Sequence, residues 1–259
     1  MPDLYIITGA NGAGKSTVGF SYLPAIIQAN CKVFDGDKLA MQKQREFYKT
    51  QTPSLKEAGR MALEWLFEHF EQLVTKALKE NDNFVYEGHF PEAANWATPN
   101  RFKVAGYKIH FIFFGLKDTD LSELRVMDRA KSGGHNVPPY EIERNFYGNL
   151  YQLNNKFAAI DELQIVDTSE SIPKVLAFFN NGIVTSAVYH DKLPEWFEKH
   201  LPALFQKILE YESSALSKEK RGKDSPHPRK IKKRDGSCKG VHPPSAKKTT
   251  THLHILIRL

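Results

Sequence analysis

Residues 9–17 read GANGAGKST, and this stretch decides the fold. Its first glycine, its last glycine, its lysine and its serine occupy the fixed positions of G-x-x-x-x-G-K-[ST], the pattern of a phosphate-binding P-loop. The apolar run at 4–7 predicts a short buried strand in front of the loop, and residues 16–18 can open a helix behind it. The sequence therefore predicts that this loop binds a nucleoside phosphate.

The residue types in the loop suit that chemistry. Glycine lets successive backbone N–H groups turn inward around phosphate oxygens, because it carries no Cβ. Lys15 can reach the β- and γ-phosphates, and the hydroxyl of Ser16 can bind Mg²⁺. The implied cofactor is magnesium–ATP or magnesium–GTP, between which the loop alone does not choose. The predicted nucleotide-binding residues are Gly9, Ala10, Asn11, Gly12, Ala13, Gly14, Lys15, Ser16 and Thr17.

Composition bounds the class of protein. The 259 residues, of which 41% are hydrophobic and 12% aromatic, suffice for one large α/β domain with appendages or a tail. No window approaches the roughly 20 apolar residues of a membrane span, so no membrane association is expected. Cys31 and Cys238 lie far apart and fit no metal spacing. Two free thiols in a reducing, cytoplasmic setting are the simplest interpretation.

The charge is divided unevenly along the chain. Residues 213–259 hold 13 Lys/Arg against 3 Asp/Glu, a net charge of +10, which leaves −4 for residues 1–212 of a total of +6. We predict a P-loop domain over 1–212 and a basic, low-complexity and disordered tail over 213–259. Nucleic acid is therefore an unlikely partner except through the tail, and such tails are more often simply solvated.

Short apolar runs alternating with helical patterns favour a three-layer α/β domain with a mostly parallel central sheet. Strands are predicted at 4–8, 32–34, 84–86, 108–114 and 163–166. Ser54 and Glu57 form a capping-box pattern that starts a long amphipathic helix. Further helices are predicted at 121–131, 139–157 and 192–212, and Pro202 should kink or split the last.

Carboxylates follow two of the predicted strands, at the edge where such a domain places its active site. Asp35 and Asp37 come directly after the strand at 32–34. We interpret Asp35 as a helix N-cap and Asp37 as the candidate base for a substrate hydroxyl. Glu87 directly follows the strand at 84–86 and is a candidate for binding a substrate hydroxyl or the water molecules around magnesium. His89, two residues later, is as consistent with an ordinary loop residue.

Arginines supply the third element of the predicted site. Arg125 and Arg129 share one helix face at i, i+4, where they suit either a polyanion or an exposed salt-bridge network. The stretch 133–138, GGHNVP, and the following helix with Arg144 resemble a lid that closes over the γ-phosphate. His135 lies in this loop and is a candidate substrate contact.

The sequence resembles the zeta-toxin-like P-loop kinase family in the order of five segments. These are ITGANGAGKST, FDGDKLA, a Ser-capped helix with Ala58–Gly59–Arg60, FVYEG and RVMDRAKSGGHNVP. The resemblance covers about residues 4–170 and is greatest to the branch often labelled predicted ABC-type ATPases. It implies that a γ-phosphoryl group is transferred from ATP to a hydroxyl of a nucleotide-sugar such as UDP-N-acetylglucosamine.

Site residues carry over by position. The resemblance implies that Lys15 and Ser16 hold phosphates and magnesium, that Asp37 is the general base, and that Arg129 and Arg144 stabilise the developing charge. Substrate contacts are expected from Glu87, Arg60, Arg125 and His135. One departure concerns Glu87–Gly88–His89, where the branch commonly has Glu-Thr-Thr.

Two other hypotheses remain beside a small-molecule kinase. In one, the protein is a toxin or regulator governed by a small helical antitoxin, since family members are neutralised in that way. In the other, it is a nucleoside triphosphatase associated with nucleic acid through its basic tail, which ranks last because residues 1–212 are net acidic.

Overall fold

The computed structural model describes residues 1–131, Gly134 and residues 137–223, with side chains described as far as Ala215. Its strands are β1 (Asp3–Gly9), β2 (Phe84–Glu87), β3 (Lys108–Gly115), β4 (Glu162–Asp167), β5 (Lys174–Asn180) and β6 (Ile183–Ala187). They form one sheet in the order β2-β1-β3-β4-β5-β6. Strands β1 to β4 pair in parallel, whereas β5 and β6 are antiparallel. The domain is therefore a mixed α/β fold with a mostly parallel sheet, as predicted.

Helices surround this sheet. They are α1 (Lys15–Val18), α2 (Ala25–Asn30), α3 (Gly36–Thr50), α4 (Leu55–Glu80), α5 (Ala97–Val104), α6 (Thr119–Lys131), α7 (Pro139–Lys156), α8 (Glu195–His200) and α9 (Pro202–Lys223). The Ser54 hydroxyl caps α4 by accepting from the backbone N–H of Glu57 at 3.3 Å, which confirms the predicted start. Pro202 divides the predicted helix at 192–212 into α8 and α9, because its ring excludes the preceding turn.

The predicted strand at 32–34 is wrong. Only Phe34 pairs there, in an isolated parallel bridge with Tyr86. Its N–H donates to Val85 and its carbonyl accepts from Glu87, both at 2.9 Å. The chain leaves the sheet at once because Asp35 caps α3, accepting from the backbone N–H of Lys38 at 3.0 Å. Asp35 is thus an N-cap, as interpreted from the sequence.

The hairpin of β5 and β6 was not predicted. Its turn is Asn181–Gly182, and both residues have positive φ, 48° and 75°. Asn-Gly between two short apolar runs is a strong hairpin signal, and the sequence carries it. The hairpin extends the parallel sheet by an antiparallel edge beyond β4.

Helix α9 continues from Pro202 to Lys223 and so crosses the predicted domain boundary at 212/213. Residues 224–259, which hold most of the predicted tail and Cys238, lie outside the described residues, as does His135. Cys31 is a free thiol. Within the described part of the chain, no helix is long and apolar enough to cross a membrane.

The core of the domain fixes the position of the loop. Strand β3 is buried along nearly its whole length, as expected of a central strand covered on both faces. Strand β1 pairs with β3 as far as Gly9, opposite Phe114. The loop that follows β1 therefore emerges at the carboxyl edge of the parallel strands, where α/β folds bind their ligands.

Candidate functional site

The backbone of the P-loop depends on glycine. Gly9, Gly12 and Gly14 have φ of 136°, 71° and 81°, a region that residues with a Cβ rarely adopt. A Cβ on Gly9 would lie only 2.1 Å from the carbonyl oxygen of Phe114. Helix α1 behind the loop spans only four residues and passes into a 3-10 turn, Gly19–Tyr22. Because α1 is so short, we expect the backbone N–H groups of the loop, rather than a long helix dipole, to provide most of the donors for a phosphate.

Lys15 folds back over its own loop. Its Nζ donates to the carbonyls of Gly9 at 3.1 Å and Ala10 at 2.9 Å, and it lies 3.4 Å from Nε2 of His89. Burial lowers the pKa of Lys15 to about 8, while the carboxylates of Glu87 and Asp37 oppose that shift. The ammonium is thus positioned beside the space above the loop, with negative groups close by.

His89 belongs to this site. Burial, and then the Lys15 ammonium, lower the pKa of His89 well below its usual value. Since lysine can only donate, Nε2 of the neutral ring accepts from Lys15. The sequence left His89 open between a site residue and a loop residue. Its contact with Lys15 depends on tertiary structure that the sequence pattern does not reveal.

Ser16 and Glu87 form the oxygen-rich part of the site. The Ser16 hydroxyl donates to Oε2 of Glu87 at 2.8 Å. Burial raises the pKa of Glu87, and the hydrogen bond from Ser16 opposes this. A hydroxyl and a carboxylate beside a phosphate loop fit Mg²⁺, which prefers hard oxygen ligands and takes most of the others from phosphates and water. The described residues contain no cluster of three or more His, Cys, Asp or Glu that would suit a metal held by protein alone.

One cavity brings most of the predicted residues together. It has a volume of about 280 Å³. Its lining comprises Asn11, Gly12, Gly14, Lys15, Ser16, Thr17, Asp37, Glu87, His89, Arg125 and Arg129. Phosphate-binding donors, two carboxylates and two guanidinium groups thus face the same space. Such a set suits a polyanion carried with a divalent cation.

The two arginines of α6 reach the cavity from the same helix face, as their spacing predicts. Arg125 also donates to three carbonyls: Thr168 at 2.7 Å, Ser169 at 3.1 Å and Gly12 at 3.4 Å. Arg125 therefore links the P-loop to the segment after β4. The two interpretations from the sequence, a polyanion contact and an exposed salt-bridge network, did not include this role. Arg129 lines the cavity one turn further along.

Two asparagines of α7 support the loop from behind. Asn145 donates to Oδ1 of Asn11 at 2.9 Å. Oδ1 of Asn149 accepts from the backbone N–H of Phe90 at 2.6 Å, and its Nδ2 lies 3.5 Å from the Gly9 carbonyl. Neither residue was predicted from the sequence. The available signal was a pair of asparagines four residues apart on the buried side of an amphipathic helix, since buried amides need partners.

Two predicted residues lie elsewhere. The Arg60 guanidinium forms ion pairs with Glu57 and Glu64 on an exposed face of α4. Arg144 pairs with Glu92 at 3.1 Å, and its side chain is 54% exposed. Neither is among the residues that line the cavity. The structure therefore does not bring Arg60 or Arg144 to the phosphate loop.

A parallel sheet with a glycine loop, a lysine and a serine at its carboxyl edge defines a P-loop protein of the nucleoside-triphosphate-binding class. Within that class, the chain belongs to the zeta toxin family, whose model matches residues 1–175. An uncharacterized protein of Haemophilus influenzae is 32% identical over 129 residues, 49% of this chain and 80% of that protein.

Solved structures share the fold. A chain of the AvrRxo1-ORF1:AvrRxo1-ORF2 complex with ATP superimposes with a TM-score of 0.59 at 16% identity, covering 78% of this chain and 64% of that one. This chain therefore spans just under two thirds of that neighbour. The PezAT chromosomal toxin–antitoxin system of Streptococcus pneumoniae gives a TM-score of 0.50 at 18% identity, covering 84% and 87%.

Proposed function

We propose that this chain is an ATP-dependent kinase that transfers the γ-phosphoryl group of ATP to a hydroxyl of a small molecule. The observation that carries the proposal is the single cavity shared by Lys15, Ser16, Asp37, Glu87 and Arg129. In-line phosphoryl transfer needs hydrogen-bond donors to the phosphate oxygens, a base and cations, all placed around one point, and these residues supply them. Membership of the zeta toxin family and the ATP complex of a structural neighbour support ATP as the donor.

Each residue has a distinct part in this proposal. The ammonium of Lys15 binds β- and γ-phosphate oxygens, and Arg129 offsets charge that develops on the transferred group. Asp37 accepts the proton of the attacking hydroxyl. Ser16 and Glu87 would hold Mg²⁺ or its waters, and the ion would neutralise phosphate charge when bound. Arg125 keeps the loop in place from the side of β4.

The lid and the acceptor contacts extend the proposal. Arg144 and His135 would act from the segment around 133–144, and Arg60 from α4, only if they reach the cavity when substrate binds. UDP-N-acetylglucosamine is the first acceptor to test, because the family resemblance implies it. We also propose a kinase domain followed by a basic tail, with the boundary moved from 212/213 to the end of α9 at Lys223, and a cytoplasmic setting.

The test is an ATP-consumption assay with purified full-length protein, with and without UDP-N-acetylglucosamine, followed by mass spectrometry of the products. We expect a phosphorylated nucleotide-sugar, its loss in Asp37→Ala, and nearly unchanged ATP binding in that variant. Lys15→Ala should weaken both binding and turnover. Equal turnover by Asp37→Ala would remove Asp37 from the mechanism, and ATP binding without sugar-dependent turnover would reject this acceptor.

A toxin controlled by an antitoxin is a second candidate, favoured by membership of the zeta toxin family and by the fold shared with the PezAT toxin–antitoxin system. It predicts growth arrest on overexpression, relieved by co-expression of a small helical protein encoded beside the gene. Harmless overexpression of the intact chain would count against it. A role on nucleic acid through the tail would instead show as affinity that falls steeply with salt and is lost on deletion of 213–259.

A further inference from the structure

A groove runs between helices α3 and α4 beside the phosphate cavity. Its volume is about 280 Å³. Small or apolar residues form most of its wall: Gly36, Ala40, Met41, Gly59, Ala62, Leu63 and Leu66. The polar side chains among its described lining are Asp37 and Gln44. It is therefore an apolar slot with one carboxylate at one end.

Asp37 joins the groove to the phosphate cavity. It is the residue that appears in the lining of both spaces, because it lies in the first turn of α3, where the helix meets the loop edge. In the proposed reaction, the hydroxyl that gives its proton to Asp37 lies at this junction. The remainder of the molecule that carries the hydroxyl then has the groove beside it.

The groove does not suit an anion. No Lys, Arg or His is among the described residues that line it, and the charge it does offer is the carboxylate of Asp37. Burying a phosphate there would be unfavourable, since no cation in the described lining compensates for the lost water. At about 280 Å³ it is also smaller than the roughly 300–1,000 Å³ of sites that enclose a drug-sized ligand.

A contrasting cleft lies on the other side of α3. It is larger, about 780 Å³, and its lining includes two lysines, Lys32 and Lys38, two carboxylates, Asp35 and Glu87, and several amide side chains. It reaches the phosphate cavity through Ser16 and Glu87 rather than through Asp37. Of the two described linings, that of the larger cleft contains cations and that of the groove does not, so a binding experiment with an anion can tell the two sides of α3 apart.

Gln44 and Gly59, which both line the groove, pack closely against each other. Gln44 donates from Nε2 to the Leu55 carbonyl at 3.1 Å across the two helices. A Cβ on Gly59 would come within 3.0 Å of that nitrogen. Leu63 lines the groove while half of its side chain stays exposed, so an apolar ligand would cover surface that now faces water.

We infer that the groove between α3 and α4 is the acceptor subsite and that it takes an uncharged, largely apolar group bearing the hydroxyl to be phosphorylated. The inference rests on the proposed kinase function. Anionic parts of an acceptor stay outside the groove. A nucleotide-sugar fits less well than an acceptor whose hydroxyl-bearing portion is apolar, because Asp37 and Gln44 are the polar side chains that the described lining offers to its sugar hydroxyls.

The test uses full-length protein with ¹³C-labelled Met and Leu methyl groups and two matched probes, benzyl alcohol and benzoate. Both carry the same ring, and only benzoate is charged. We expect benzyl alcohol to shift the methyl signals of Met41, Leu63 and Leu66 saturably, and benzoate to bind at least about tenfold more weakly. Ala40→Leu, which fills the groove, should weaken benzyl alcohol at least about tenfold, whereas Lys38→Ala in the opposite cleft should not.

Benzoate binding as tightly as benzyl alcohol, or shifts absent from these three methyl groups, would overturn the inference. The comparison of probes uses the unaltered protein, so it does not depend on the folding of a variant. MgATP is added to the same samples as a separate arm. A failure of MgATP to perturb the protein would refute the kinase proposal itself, whereas tight benzoate binding would refute only the acceptor chemistry.

Discussion

Replacing Asn149 tests whether helix α7 holds the phosphate loop. In Asn149→Leu, the buried N–H of Phe90 loses its acceptor, now 2.6 Å away, and the Gly9 carbonyl loses a nearby donor. Leaving one buried donor unsatisfied costs roughly 1–3 kcal/mol. We therefore expect the free energy of unfolding to fall by about 2 kcal/mol, or a decrease in Tm of about 4–8 °C for a domain of this size.

The assay is urea denaturation followed by fluorescence, with ATP affinity measured on the same samples. Asn155→Leu is the matched control, because Asn155 lies on α7 but is exposed, and its side chain donates to the Tyr151 carbonyl at 2.9 Å rather than to the loop. It should change stability by less than about 0.5 kcal/mol. An equal effect of the two substitutions, with ATP affinity unchanged in both, would refute the role of Asn149 in supporting the loop.

Two further predictions concern the loop itself. Gly9→Ala should destabilise the fold by about 3 kcal/mol or prevent folding, because its Cβ would meet the Phe114 carbonyl. Gly106→Ala should cost only about 1 kcal/mol, because Gly106 also has positive φ but, chain neighbours aside, no described residue lies within 4 Å of the added Cβ; similar unfolding midpoints for the two variants would contradict this. The pKa of Lys15 is about 8 in the fold against 10.5 for an ordinary lysine, so the unfolded chain binds more protons between those values. The free energy of unfolding should therefore rise with pH from about 8 to 10.5 relative to Lys15→Met, and parallel stability curves for the two proteins would disprove the shift.

Local sequence signals predicted the parts of the fold that depend on neighbours in the chain. The glycine loop, the Ser54 cap and the division at Pro202 each follow from residues within one or two turns. The turn at Asn181–Gly182 carried an equally local signal that the strand assignments did not use. The prediction of a strand at 32–34 was wrong because only one residue there pairs with the sheet. No local sequence pattern sets how many residues of a segment pair with a neighbouring strand.

The same distinction, between partners close in the chain and partners far away, separates the site residues that the sequence predicts from those it does not. Arg60 has Glu57 and Glu64 at i−3 and i+4, a spacing that itself predicts ion pairs, so its position on an exposed face was readable from the sequence. Asn145, Asn149 and His89 were not readable in this way. Apart from the Asn145 carbonyl, which accepts from Asn149, their partners lie 59 to 141 positions away in the chain, and only the packing of α7 under the loop brings them together.

The amides of α7 have a consequence for how the loop meets its ligand. With Asn145 bonded to Asn11 and Asn149 beside Gly9, the curve of the loop is already fixed by the scaffold before any phosphate arrives. A ligand then loses little free energy to ordering the backbone that binds it. The heat of binding should therefore come from contacts rather than from folding of the loop.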